Sequence, residues 1–281
     1  MRLTQISMFS NDIEIITFSL VTENPSSQYI VRNIAGLDAE EIIPRFYGFG
    51  LQSGNRFYDF SLKARDIVMR IVLNPRFRID ESYSEIRDYL YKAISSNRVG
   101  LITLYMYSGA TVVAQIQGFI MKFEAVYFTD LPEVQMTIRC DDPMFRAINA
   151  VKFDPEELGT LQSVLIPDSL STAPHGFTMG VKCKVASDQY SIQNAPVAPE
   201  WRFNVLPDGG FLVGDELYLS SEYNNRYVYL VRAGEPLYLM DKIELNSIWP
   251  MIFPGATQFY FGERAAFDWL GLAYNAAYWG V

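Results

Sequence analysis

The 281-residue chain holds one histidine, His175, set between Pro174 and Gly176. Nucleophilic catalysis of the Ser-His-Asp or Cys-His kind needs an imidazole fixed at the centre of a rigid site. A lone histidine in a proline- and glycine-rich stretch predicts neither that chemistry nor a metal site. The two cysteines, Cys140 and Cys183, are 43 positions apart and lack the paired spacing of structural zinc. Two cysteines make no disulfide framework, and strand-like neighbours predict that both are buried free thiols. Asp141-Asp142 and Glu156-Glu157 raise glycoside hydrolysis, which needs two carboxylates facing one bond. Adjacent residues of an extended chain point to opposite sides, the wrong geometry. Gly48-Phe49-Gly50 leads to no third glycine at the required place and no helix start, so it predicts no phosphate cradle. The residues therefore predict no catalytic, cofactor or metal site, and no enzyme.

What remains is contact chemistry. In the segment 65–73, Ile67, Met69, Ile71 and Leu73 fall on one face of a strand and read as core. Asp66, Val68, Arg70 and Val72 fall on the other, half apolar and half ionic. That face suits a protein contact, or a salt-bridged surface facing solvent. Trp201, Trp249, Trp269 and Trp279 stand among apolar or aromatic neighbours, suited to core packing or to stacking on sugars.

These residues must be positioned mainly by strands. Extended segments are expected at 13–20, 29–34, 56–62, 65–73 and 134–140, with a meander at 101–108, 111–117 and 119–128 turning at Gly109 and Gly118. One helix is expected over 82–97. Ser82-Tyr83-Ser84-Glu85 is a capping box, and Ile86, Leu90, Ala93 and Ile94 form a stripe at helical spacing. Asp141-Asp142-Pro143 should end the strand before it, because proline donates no ladder bond. After 176, turn signals such as Pro207-Asp208-Gly209-Gly210 and Ala233-Gly234-Glu235-Pro236 recur about every ten residues, as in a β-sandwich or barrel. The expected class is mainly β: an α+β N-terminal domain at 1–151 with one helix on a sheet, a linker at 152–176, and a β-sandwich at 177–281.

Composition fits a folded chain, 49% hydrophobic, 20% charged and 15% aromatic. The net charge is −9, and residues 151–281 carry 8 basic against 15 acidic side chains, which argues against nucleic acid as a ligand. In residues 1–150, 12 of the 15 basic residues are Arg, the cation favoured in protein interfaces. The uncharged run Leu101–Met121 is long enough to raise a membrane span, but Ser108-Gly109 and the alternating Gln115 and Gln117 fit strands around a turn better. The N-terminus lacks the apolar core of a signal peptide.

Three stretches, in order, resemble the siphophage distal tail protein family. Arg56-Phe57-Tyr58-Asp59-Phe60 leads through Ile67–Leu73 into the helix; Gly118–Phe128 leads to Gln135–Cys140 and Asp141-Asp142-Pro143-Met144-Phe145. The third holds Ile192-Gln193-Asn194, Glu200–Val205, Gly214-Asp215-Glu216-Leu217, Ser247-Ile248-Trp249, Phe253–Phe259 and the ending Tyr274–Gly280. The chain departs from the family at Asn194-Ala195-Pro196, where Asn-x-Gly is usual, and at Thr257, where Asn is usual. The resemblance implies a galectin-like C-terminal sandwich and a homohexameric ring. N-terminal domains would form the belt around a central channel, the sandwiches projecting outward. Its implied partners are copies of itself, the tail tube protein and the tail hub or tail-associated lysin, with the tape measure protein and receptor-binding proteins as further neighbours. It implies no cofactor, no nucleic-acid recognition and no membrane span, and a place at the virion tail tip after synthesis in the host cytoplasm. Asp66, Val68, Arg70 and Val72 are the expected ring interface. A lectin-like carbohydrate-binding module and a tube- or hub-type tail protein are the alternatives.

Overall fold

A computed structural model of the chain describes residues 2–21, 27–39, 42–48, 55–74, 82–126, 132–154, 156, 163–168, 170–194, 202–223, 225–245, 247–262 and 264–281. The protein is mainly β, with a single α-helix among the described residues. It divides into two compact units, Met1–Ile148 with Trp279–Val281, and Asn149–Tyr278.

The first unit contains β1 (Gln5–Ser10), β2 (Ile13–Ser19), β3 (Tyr29–Ala35), β4 (Ile42–Gly48), β5 (Asn55–Leu62), β6 (Arg65–Leu73), α1 (Tyr83–Asn97), β7 (Ile102–Ser108), β8 (Thr111–Val126) and β9 (Glu133–Cys140), and the start of β10 (Phe145–Phe153). β4 and β5 pair as a separate hairpin. The order β8-β7-β1-β2-β3-β6-β9 is closed by pairing of β9 back onto β8, so these strands form a barrel. Closure removes the open edges that invite stray pairing. Alternate residues of each strand point inward, among them Ile6, Met8, Phe18, Ile67, Met69, Leu104, Ile116 and Met136, all at most 3% exposed. Asn11 and Asp12, both at positive φ, make the tight turn between β1 and β2.

The helix forms as its capping box requires: Ser82 Oγ accepts from the Glu85 amide, and the Glu85 carboxylate accepts from the Ser82 amide. Its buried stripe is Ile86, Leu90 and Ile94, packed toward β2 and β6. Tyr29 Oη donates to the Ile86 carbonyl at 3.1 Å, tying helix to barrel.

Gly118 differs from expectation. It is no turn but lies mid-strand in the 16-residue β8, whose first half pairs with β7 and whose second half pairs with β9. A Cβ there would sit 2.6 Å from the Arg139 carbonyl oxygen and 2.8 Å from Cys140 Sγ. The glycine permits close backbone approach where the barrel closes, a role that looks like a turn signal in sequence.

The second unit holds β11 (Ser163–Asp168), β12 (Thr178–Cys183), β13 (Tyr190–Asn194), β14 (Arg202–Val205), β15 (Glu216–Ser220), β16 (Tyr227–Arg232), β17 (Glu235–Tyr238), β18 (Gly255–Gly262) and β19 (Phe267–Tyr278). One sheet runs β17-β16-β15-β12-β19 and the other β11-β18-β13-β14. Inward residues of both, including Val181, Leu217, Leu230, Phe203, Phe259 and Ile192, share one core. β11 lies inside the stretch expected to be a linker. Val164 and Ile166 are buried at alternate positions, and Pro167 is tolerated because β11 is an edge strand.

The closure at Gly118 gives a direct test. Gly118→Ala should lower unfolding stability by about 2 kcal/mol, the usual cost of overpacking against backbone, measured by urea denaturation. Gly109→Ala, at the neighbouring turn with φ +62 and open space, should cost less than Gly118→Ala.

Candidate functional site

β6 positions the residues singled out by sequence. Its burial alternates, with Ile67, Met69 and Ile71 wholly inside the barrel and Asp66, Val68, Arg70 and Val72 outside. The structure brings these four together on one face. On β9 they stand beside Arg139, Thr137, Gln135 and Glu133 respectively. Arg139 lies 3.7 Å from Asp66 and 3.9 Å from Asp141, all of them about half exposed or more, so these pairs add little stability. The face continues to β8, where Phe119 is paired with Arg139 and is 39% exposed, and where Met121 is 55% exposed. The result is apolar area with charges around it on the outside of a closed barrel, a surface suited to contact rather than to catalysis.

The register of β6 is pinned at its first residue. Arg65 is in phase with Ile67 and Met69 and is 1% exposed. Its Nε donates to the Pro143 carbonyl at 2.7 Å, Nη1 to the Gly36 and Asp38 carbonyls at 2.6 Å each, and Nη2 to the Trp279 carbonyl at 2.7 Å. The guanidinium lies 4.6 Å over the Phe145 ring. In the sequence Arg65 looks like an ordinary charge at a strand end, and its place in the inward alternation with Ile67 and Met69 is the signal of its burial.

His175 is not in an open linker. It is 2% exposed, with backbone hydrogen bonds to Ile252 in both directions. Its Nε2 faces Asp168 Oδ2 at 2.9 Å and its Nδ1 faces the Gly176 carbonyl at 3.0 Å. Each ring nitrogen therefore faces an oxygen within hydrogen-bond distance. Burial pushes the Asp168 carboxyl up, but hydrogen bonds from Ser171 and His175 outweigh it and hold the group below the ordinary carboxylate range. The Tyr274 ring lies 4.9 Å from the imidazole, and burial, with the Asp168 charge second, pushes its phenol up to about 12. Asp168, Ser171 and His175 have the composition of a triad without its geometry. Ser171 bonds the carboxylate and accepts from the Ala277 amide, while the far side of the imidazole is taken by a carbonyl.

The other candidates disperse. Cys140 and Cys183 are buried free thiols, and burial pushes the Cys140 thiol up to about 12. Asp142 turns to Arg146 at 2.8 Å, whereas Asp141 faces Arg139. Trp269 is core, packed on Phe261 at 4.8 Å, and Trp249 packs on Phe203 at 4.8 Å. Trp201, Glu157 and residues 49–50 lie outside the described residues. Among the described residues no group of three or more His, Cys, Asp or Glu is placed to hold a metal, and no helix is long and apolar enough to cross a membrane.

No protein-family model and no curated protein matches the chain. Among solved structures, the SPP1 Dit protein, described as a paradigm of the hub adsorption apparatus in phages infecting Gram-positive hosts, matches with a TM-score of 0.59 at 12% identity. The match covers 97% of this chain and 98% of that one. The chain shares its fold with SPP1 Dit. Structures of the phage P2 baseplate in its activated conformation with Ca or Sr also match, each at a TM-score of 0.45 and 7% identity over 98% of both chains.

Two substitutions test the buried centres. Arg65→Lys should lower stability by about 2 kcal/mol or more, because an ammonium cannot reach all four carbonyls, read by urea denaturation. His175→Ala should cost about 3 kcal/mol or more by leaving Asp168 buried without its partner. A carboxylate with a depressed folded pKa stabilises above its unfolded value near 3.9, and that stability is lost as pH falls through the lower folded value. His175→Ala removes part of the depression, so its acid unfolding midpoint should move to higher pH.

Proposed function

We propose that the chain is a distal tail protein of a long-tailed bacteriophage, a structural, non-enzymatic ring that joins the tail tube to the hub and host-adsorption apparatus. The observation that carries this is the shared fold with SPP1 Dit along nearly the whole of both chains. Similarity confined to a sandwich would point as readily to an isolated binding module; here the barrel and its closing strands are matched as well. The order of motifs from Arg56 to Gly280 supports the same conclusion. The proposed ring is a homohexamer, with the tail tube protein and the hub or tail-associated lysin as its neighbours, and the tape measure and receptor-binding proteins nearby. The virion tail tip is its place.

The ring contact we assign to the outer face of β6, at Asp66, Val68, Arg70 and Val72. A closed ring needs a heterologous contact, in which one surface meets a different surface of the next copy. Val68 and Val72, with Phe119 and Met121 farther along the barrel, supply area to bury. Asp66 and Arg70 supply charges that fix register.

The test is the double substitution Val68→Glu with Arg70→Glu. Both side chains point outward, so the barrel core is spared. Desolvating the new carboxylates costs several kcal/mol per contact, and the cost recurs around the ring. The variant should keep its circular dichroism spectrum and run as a monomer, while the parent forms rings in electron micrographs, alone or with its tail neighbours. A parent that stays monomeric even beside those neighbours overturns the ring. Rings from both proteins would keep the ring and overturn the assigned face.

A further inference from the structure

The outer face of the larger sheet in the second unit carries a row of tyrosines that are not among the residues assigned to the proposed ring contact. Tyr218 on β15, Tyr229 on β16 and Tyr238 on β17 stand opposite one another in the strand register. The rings of Tyr218 and Tyr229 are stacked, with centroids 5.0 Å apart and planes at 20°, and Tyr238 follows at 6.4 Å from Tyr229. Across β12 and β19 the same row continues as Gly180 and Gly271, which are paired with each other. Gly180 lets the Tyr218 ring lie close over β12, where a Cβ would sit 3.2 Å from the ring, and Gly271 faces the Phe153 carbonyl, so the tyrosine ring and backbone form the floor. The trough there has a volume of about 350 Å³, and Thr178, Tyr218, Tyr227 and Leu270 line it, with Lys152 and Asp154 also at its wall.

We propose that this trough and the adjoining tyrosines bind a neutral saccharide chain. The C–H face of a pyranose is apolar and flat, suiting an aromatic face, while its hydroxyls suit phenol, hydroxyl and carboxylate groups at the edge. The charges favour a neutral ligand. Lys182 is paired with Glu216 at 3.0 Å, Tyr218 Oη donates to the same carboxylate at 3.0 Å, and Lys184 is paired with Asp268 at 2.7 Å. With these two lysines matched by carboxylates, and Lys152 accompanied at the wall by Asp154, the positive field that would select phosphate or sulfate is weakened. An apolar ligand is equally ill suited, since three tyrosine hydroxyls stand along the row. Of the tryptophans considered from sequence, Trp269 is in the core and Trp249 is packed on Phe203, so neither belongs to this platform.

The experiment uses the full chain and saturation-transfer difference NMR with calorimetry. The neutral probes are maltotriose, cellotriose, chitotriose and β-1,4-galactotriose, and dextran sulfate is the anionic probe. At least one neutral trisaccharide should bind, and Tyr229→Ala and Tyr238→Ala should each weaken it about tenfold. Tyr238 is 75% exposed, so its variant remains a fair test even if Tyr229→Ala disturbs folding. The proposal is overturned if no neutral probe binds, if only dextran sulfate binds, or if the Tyr238 variant binds as the parent does. None of these outcomes bears on the ring, which micrographs read separately.

Discussion

A guanidinium buried inside the first unit is the constraint on which that unit depends. Taking such a charge out of water costs several kcal/mol unless its donors are matched. Arg65 matches them with backbone carbonyls at Gly36, Asp38, Pro143 and Trp279, drawn from distant points of the chain. Those carbonyls must stay where they are for the charge to be tolerated, so four loop positions are fixed by one side chain. Gly36 takes positive φ there, and a Cβ on it would collide with the Asp66 carbonyl. Gly280 is held just as closely, with any Cβ 2.6 Å from the Leu37 carbonyl oxygen, and the Val281 amide donates to that same oxygen. The last three residues thereby belong to the first unit although the second is built from the residues before them.

Fixing Arg65 also fixes what β6 shows to the outside. β6 pairs with β9 from Arg65 to Val72 without a register shift, so an inward Arg65 obliges Asp66, Val68, Arg70 and Val72 to face outward. A slip of one residue would bury Asp66 and Arg70 in the barrel and expose Ile67, Met69 and Ile71. The buried arginine thus sets the very surface to which the ring contact is assigned, without taking part in it.

Patterns with one physical cause were legible in the sequence, and patterns with two were not. Ser82 and Glu85 have no other common reason to stand three apart before an apolar stripe, and the helix begins where they say. The alternation Ile67, Met69, Ile71, Leu73 gave a core face for similar reasons. Gly118 was ambiguous, since glycine serves both turns and close approach, and only the opposite strand decides between them. His175 reads as a linker residue because Pro174 and Gly176 flank it, and its partner Asp168 lies at the end of a strand next to another proline. β1, β4, β10 and β11 went unrecognised. β10 follows Pro143 at once, and its burial is irregular, so it lacks the clean alternation by which strands are found. The outer face of β6 was legible as a surface, but alternation alone cannot say whether a surface meets solvent or protein.

Buried charge in the second unit works as it does in the first, on the frame rather than on a ligand. Asp215 is 3% exposed and immediately precedes β15, while Arg232 is the last residue of β16. Burial pushes the Asp215 carboxyl up, but bonds from Arg232 and the Leu212 amide hold it below the ordinary range. Arg232 meets it through Nε at 3.1 Å and Nη2 at 2.7 Å, and reaches the Gly210 carbonyl at 2.7 Å. A planar fork held at both ends leaves β15 and β16 little freedom to slide. Their register is what stacks Tyr218 on Tyr229, because a shift of one residue would turn either ring into the core. Arg65 and the Asp215–Arg232 pair therefore both act through backbone register, and register decides which side chains each strand face presents.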